Sequence, residues 1–289
     1  MSRPNILILM SDEHNPLVTG CYGHPVMQTP YLDRLAQQGV LFENAYCNSP
    51  ICVPSRMSFL TGRYASDIGV FDNGSPLASE VPTFAHYLEV AGYDTTLCGR
   101  MHIVGPDRLH GFGKRLYDDM THWMRFDQKP KRTQSARRGS NSHVTECGPG
   151  IGRWFNYDRT VTELSERALR SLAETPNTKP WLFIASFMYP HFPLWAPPEY
   201  FDLYPLDNVV LPDLDKETLE TQHPVIRQLR YFLQNDEPLP ETTTRTALAS
   251  YYALVTLIDS YVGRLLNVVD HSPLGENTIV IYLSDHGEM

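Results

Sequence analysis

Four short apolar runs punctuate the 289-residue chain: Ile6 to Met10, Thr95 to Cys98, Trp181 to Phe187 and Thr278 to Leu283. Runs of this length, rich in β-branched and aromatic side chains, predict strands buried on both faces. Between them the apolar positions recur at helical spacing. Thr29 and Pro30 mark a helix start that Gly39 closes, and Pro82 marks another that Gly92 closes. Longer amphipathic stretches run from about Arg159 to Glu174 and from about Thr244 to Val269. Strands that alternate with helices predict an α/β fold, its sheet mostly parallel and covered on both faces.

Two stretches break this rhythm. Residues 114–152 are polar, carry the basic cluster Lys129, Lys131, Arg132, Arg137 and Arg138, and have few apolar anchors, which predicts a mobile insert. Residues 192–241 are dense in proline and aromatics (Pro193, Trp195, Pro197, Pro198, Tyr200, Tyr204) and predict an ordered excursion that shapes a pocket. No internal repeat is visible.

Composition narrows the class. A 42% hydrophobic content is that of a globular protein with a sizeable core, and a net charge of -9 argues against nucleic acid as a partner. An anionic substrate would need positive charge gathered locally by a few arginines and a metal. The first apolar run is too short for a signal segment or a membrane span. Five cysteines (Cys21, Cys47, Cys52, Cys98, Cys147), an odd number without metal-type spacing, predict reduced thiols and a cytoplasmic setting.

Chemistry concentrates in the run Cys52-Val53-Pro54-Ser55-Arg56-Met57-Ser58-Phe59-Leu60-Thr61-Gly62-Arg63. Pro54 suits the first helical position, which puts Cys52 at the positive end of the helix, where free N–H groups and Arg56 suit a tetrahedral oxyanion. Alone, Cys52 could equally be a small buried side chain before an ordinary helix. Each predicted strand also delivers polar residues just past its carboxyl end: Asp12 and Glu13, Arg100 and His102, His191, then Asp285 and His286. Open α/β sheets build their sites there. Asp12, Glu13, Asp285 and His286 supply hard donors for one divalent cation.

The run from Cys52 resembles, position for position, the sulfatase signature Cys-x-Pro-Ser-Arg followed by Leu-Thr-Gly-Arg. Gly92-Tyr93-Asp94-Thr95-Thr96-Leu97-Cys98-Gly99-Arg100-Met101-His102 resembles that family's second signature, with Arg100 where lysine is usual, and Pro190-His191-Phe192-Pro193 resembles its leaving-group histidine motif. The stretch from Gly99 to Phe112 and the ending Ser284-Asp285-His286-Gly287-Glu288-Met289 look most like choline sulfatases.

The resemblance implies an alkaline-phosphatase-like sulfatase fold: a large, mixed, mostly parallel sheet sandwiched by helices. Residues 1–289 would be the N-terminal catalytic domain, without the C-terminal subdomain. It implies hydrolysis of a small-molecule sulfate ester, with Cys52 oxidised to formylglycine by a formylglycine-generating enzyme. Arg56, Arg100, His102 and His191 would act with it. Asp12, Glu13, the modified Cys52, Asp285 and His286 would hold one divalent ion, calcium ahead of magnesium or manganese; Glu13 stands where aspartate, asparagine or glutamine is usual. Trp123, Trp154 and Trp195 are candidates for the face of a quaternary ammonium. No membrane partner is implied, and a homo-oligomer of the longer protein is allowed. Phosphonate monoester hydrolase or phosphodiesterase chemistry and a catalytically silent fragment are the alternatives.

Overall fold

The structure is a computed structural model describing residues 3–120, 140–174, 179–211 and 221–288. The first strand, β1 (Asn5–Asp12), leads through α1 (Pro30–Gln38) to α2 (Cys52–Thr61), α3 (Ala65–Ile68) and α4 (Phe84–Val90). Then come β2 (Asp94–Gly99), β3 (Lys114–Tyr117), α5 (Ser142–Thr145), β4 (Cys147–Pro149), α6 (Phe155–Glu174) and β5 (Trp181–Pro190). The remainder is β6 (Leu194–Ala196), α7 (Pro198–Phe201), α8 (Pro224–Phe232), α9 (Glu241–Asp270) and β7 (Thr278–Ser284). The main sheet has the order β3-β2-β5-β1-β7, and every pairing in it is parallel.

All four predicted strands form, each extending slightly beyond its apolar run. The period-2 alternation of a strand divides their side chains between two cores. Leu7, Leu9, Phe183, Ala185 and Phe187 face the cluster built by α6 and α9. Ile8, Met10, Leu97, Leu182 and Ile184 face Val53, Met57 and Leu60 of α2 and Ala85 of α4. The helix α9 is long and apolar enough to cross a membrane by those measures alone, but 83% of its most apolar window is buried inside the protein.

The boundaries of the predicted insert move. Residues 121–139, with the basic cluster and Trp123, lie outside the described residues. Its two ends belong to the fold: Lys114–Tyr117 is the edge strand β3 beside β2, and Cys147–Pro149 pairs with β6 in a second, two-stranded sheet. An edge strand pairs on one side and needs no apolar run, so β3 escapes a hydrophobicity reading. Residues 192–241 are ordered where described, folding into β6, α7 and α8.

Candidate active site at the carboxyl ends of the strands

Asp12, fully buried, ends β1 after an irregularity in the β1–β5 register between Met10 and Asp12. Glu13 then takes a left-handed backbone (φ 64°) and donates its N–H to Asp285 Oδ1 at 3.1 Å. The adjacent strand β7 runs out at Ser284, and the same Asp285 oxygen accepts the His286 N–H at 2.8 Å. Parallel pairing of β1 with β7 therefore makes two sequence-distant acids neighbours.

The helix α2 delivers the rest from the side. It begins at Cys52 itself, so Pro54 is the third helical residue and not the first as expected. The supply of free N–H groups is also smaller than expected: Pro54 has none, and Asn73 Oδ1 accepts that of Val53 at 2.9 Å. Arg56 differs most from expectation. Its guanidinium is wholly buried and donates to Asp285 Oδ2 and Asp12 Oδ2 at 2.8 Å each, to the Arg100 carbonyl at 2.5 Å and to Ser186 Oγ at 3.0 Å. With its donors spent on protein acceptors, Arg56 clamps the acids and does not reach toward an anion. Cys52 Sγ lies 3.6 Å from Asp12 Oδ1 and 3.5 Å from His286 Nε2. Burial, then Asp12, pushes its thiol up, so an unmodified Cys52 stays protonated and is a poor nucleophile.

Arg100 and His102 follow β2. Arg100 Nε makes a close ionic contact, 2.5 Å, with Asp12 Oδ2, while Nη2 lies 3.2 Å from His102 Nδ1. Gly99 makes this exit possible: its φ is 98°, and a Cβ there would stand 2.1 Å from the Ser186 carbonyl oxygen. Burial, then Arg100, lowers His102 to about 3.

His191 follows β5, with Nε2 3.5 Å from Glu13 Oε1 and Nδ1 donating to the Phe192 carbonyl at 2.7 Å. Burial lowers it to about 4. With its Nδ1 proton given to the Phe192 carbonyl, uncharged His191 offers Nε2 as an acceptor. Beside it, the ring of Trp154 carries the Arg153 guanidinium 4.1 Å from its centroid.

Every predicted site residue therefore gathers at one end of the sheet. Three that the sequence reading missed support them. Asp119 accepts the Met101 and His102 N–H groups at 2.9 Å each, Asp158 accepts those of Met188 and Tyr189 at 2.7 and 2.9 Å, and Asn73 caps α2. The one available signal was Asp158, an acid on the inward stripe of an amphipathic helix beside Tyr157, Val161 and Thr162.

The charge balance suits a cation. Burial alone would raise the Asp12 carboxyl, but Arg100 and Arg56 together hold it below the usual range. Glu13 is pushed well above that range by burial and then by Asp12 and Glu288. Its Oε2 is buried with no hydrogen-bond donor among the described residues. Ligand atoms of Asp12, Cys52, Asp285 and His286 lie within 4.8 Å of one another, as do those of Asp12, Glu13, Cys52 and His191. Three crowded carboxylates, one of them with an oxygen that no described residue donates to, beside one or two imidazoles fit a divalent ion that prefers oxygen.

Comparisons with known proteins identify the family. The sulfatase family model matches residues 4–289. A choline-sulfatase of Rhizobium meliloti is 33% identical over 99% of this chain and 58% of its own length, and an ulvan-active sulfatase of Formosa agariphila is 31% identical over 100% and 51%. The chain thus spans little more than half the length of these curated relatives. Among solved structures, a phosphonate monoester hydrolase of Agrobacterium radiobacter superposes with a TM-score of 0.74 at 24% identity, covering 99% of this chain and 63% of that one, which shows the shared fold. Family model and relatives coincide on one conclusion, that this chain belongs to the sulfatase family.

Proposed function

We propose that this chain carries the catalytic centre of a sulfuric ester hydrolase that cleaves a sulfate monoester to an alcohol and sulfate. The observation that carries the reading is the position of Cys52: first residue of α2, its Sγ within 3.6 Å of Asp12 Oδ1 and 3.5 Å of His286 Nε2. Sulfatases generally use formylglycine and a metal, and Cys52 stands where the formylglycine hydrate would be. A hydrate hydroxyl supplies the nucleophile, and a divalent cation, when bound, neutralises charge on the sulfuryl oxygens. Asp12, Glu13, Asp285 and His286 would hold that ion; calcium is the one we favour for an oxygen-rich donor set.

The chain's own residues do the rest. Arg56, with Arg100, keeps Asp12 ionised and orients both Asp12 and Asp285 from behind. Arg100 places positive charge beside the nucleophile, fixed through Asp12. His191 sits on the leaving-group side, where a proton must reach the departing alkoxide, and its Nε2 lies 3.5 Å from Glu13 Oε1. For the alcohol, similarity to a choline-sulfatase brings a quaternary ammonium into view. The Trp154 ring already carries Arg153, and Trp195, 37% exposed, is the most exposed of the described tryptophans. Maturation needs a formylglycine-generating enzyme, and the free state of all five cysteines supports a reducing compartment.

The test is side-by-side turnover of an aryl sulfate and an aryl phosphonate by protein co-produced with a formylglycine-generating enzyme and loaded with calcium. Faster sulfate cleavage is expected; faster phosphonate cleavage overturns the reading. A thermal shift with calcium, magnesium and manganese checks the ion site. An ion present at 100 times its dissociation constant stabilises by about 2.7 kcal/mol, and the absence of any shift would show that the proposed ion site is not formed.

A further inference from the structure

We propose that Tyr251 of α9 is a positioning residue for the ion site. Its hydroxyl locks the turn after β1 in the backbone form that carries the Glu13 carboxylate into the group of ligand atoms. The inference deepens the sulfate-ester reading and rests on it for the presence of an ion.

The turn combines a disfavoured backbone with bonds that all come from elsewhere. Glu13 has φ 64°, a left-handed conformation that β-carbon sterics disfavour. The N–H groups of Glu13, His14 and Asn15 donate to side chains far away in sequence: Asp285 Oδ1 at 3.1 Å, Ser284 Oγ at 2.8 Å and the Tyr251 hydroxyl at 2.8 Å. Asp285 and Ser284 belong to the end of β7, which pairs with β1 alone among the described strands. Tyr251 reaches the turn from the interior, 5% exposed on α9. It also makes a second bond, its O–H donating to the Glu13 carbonyl at 2.5 Å. One hydroxyl therefore bridges a carbonyl and an N–H two residues apart, with its proton and a lone pair both in use. A phenylalanine ring would fill the same space and make neither bond.

The shape of this turn decides where the Glu13 carboxylate goes. Its Oε1 lies 3.5 Å from His191 Nε2, its Oε2 is buried with no donor among the described residues, and it shares a 4.8 Å group with ligand atoms of Asp12, Cys52 and His191. A return of Glu13 to a negative φ would re-aim its Cα–Cβ bond and withdraw that carboxylate. The Tyr251 proton is spent on the Glu13 carbonyl, so Tyr251 acts on the ion through the turn and not as a ligand. Partners one bond removed from the ligands orient them, and their loss commonly weakens metal binding by ~10–100-fold.

The experiment is a calcium titration of the matured chain, followed by thermal shift, in the parent and in Tyr251→Phe. The dissociation constant for calcium should rise by ~10–100-fold in the variant. Tyr204→Phe is the control, since the buried Tyr204 hydroxyl also bonds within the core, to Thr256 Oγ1 at 2.5 Å and to the Gln28 N–H at 3.0 Å. That variant should keep calcium affinity within ~3-fold of the parent, because it shares no partner with Glu13. Unchanged affinity in Tyr251→Phe, or an equal loss in Tyr204→Phe, overturns the inference. On a Glu13→Ala background, Tyr251→Phe should weaken calcium by less than ~3-fold further, because a residue acting through another is non-additive with it. The full further loss on that background refutes the route through Glu13. A second readout needs no ion. His14-Asn15 is the only His-Asn pair in the sequence, so histidine labelled with carbon-13 at the carbonyl and asparagine labelled with nitrogen-15 mark the Asn15 amide alone. Its hydrogen exchange in the ion-free chain should quicken by ~10-fold or more in Tyr251→Phe, and an unchanged rate overturns the inference. Failure of the parent to bind calcium strikes the ion-site reading instead, and the exchange rate then decides the role of Tyr251.

Discussion

Helices α2 and α9 are both buried and teach opposite lessons about burial. Of the 30 residues of α9, the buried ones are mostly hydrocarbon or small, among them Ala249, Leu254, Val255 and Val262, with Asp259 the one buried charge-bearing side chain. The ten residues of α2 bury Cys52, Ser55, Arg56 and Ser58 beside Val53, Met57 and Leu60. One helix is held by apolar area removed from water, the other in large part by charges that must stay matched. The first kind tolerates exchange of like for like. The second couples stability directly to chemistry.

The sharpest way to break that comparison is Cys52→Ala. Loss of the nucleophile should cut sulfate-ester turnover by ~10⁴-fold or more while the urea midpoint stays near the parent's. Next is Arg56→Met, which strands Asp12 and Asp285 without their shared cation. Removing one partner of a buried charge set costs about 3–5 kcal/mol, readable by urea unfolding, and turnover should fall with it. If stability is unchanged, α2 is held like α9. Leu254→Ala should cost about 2–5 kcal/mol through a cavity, yet leave turnover per folded molecule intact.

The smallest effect is one of pH. Burial lowers His14 to about 4 from the ordinary 6.5. Between those values the unfolded chain takes a proton that the folded chain refuses, so stability is fullest above pH 6.5 and falls as pH drops toward 4, by at most about 3 kcal/mol. Asp259, raised to about 7 by burial beneath the N–H groups of Tyr31 and Leu32, works in the opposite sense, its penalty growing as pH rises from about 4 to 7. Relative to the parent, His14→Gln should therefore gain in urea midpoint as pH falls from 6.5 toward 4, since the Asp259 trend is then unopposed.

Much of this was legible in the chain because each signal was local. Apolar runs marked four strands, and strand-end polar clusters marked where they discharge. The parts that stayed hidden depend on contacts between distant segments. Asp119 is one acid in a polar stretch until the turn after β2 folds over it, and Asp158 looks like an ordinary helix acid until β5 lays two N–H groups against it. Arg56 looks like an anion contact in the motif and is a clamp in space, because its partners come from β1 and β7, 44 and 229 positions away. The strand β3 carried no pattern because an edge needs none.

The position of β7 has a kinetic meaning. Among the described residues it is the outermost strand on its side, paired only with β1, and Ile279 and Ile281 are 49% and 40% exposed. Asp285 and His286 hang from its end. Edge strands with exposed side chains are where native proteins open locally before they unfold globally. The proposed ion ligands thus sit on two strands with unequal cover: Asp12 on a central one paired on both sides, and Asp285 with His286 just past one that is paired, among the described residues, on one side. Whatever binds between them acts as a clasp on the border of the sheet.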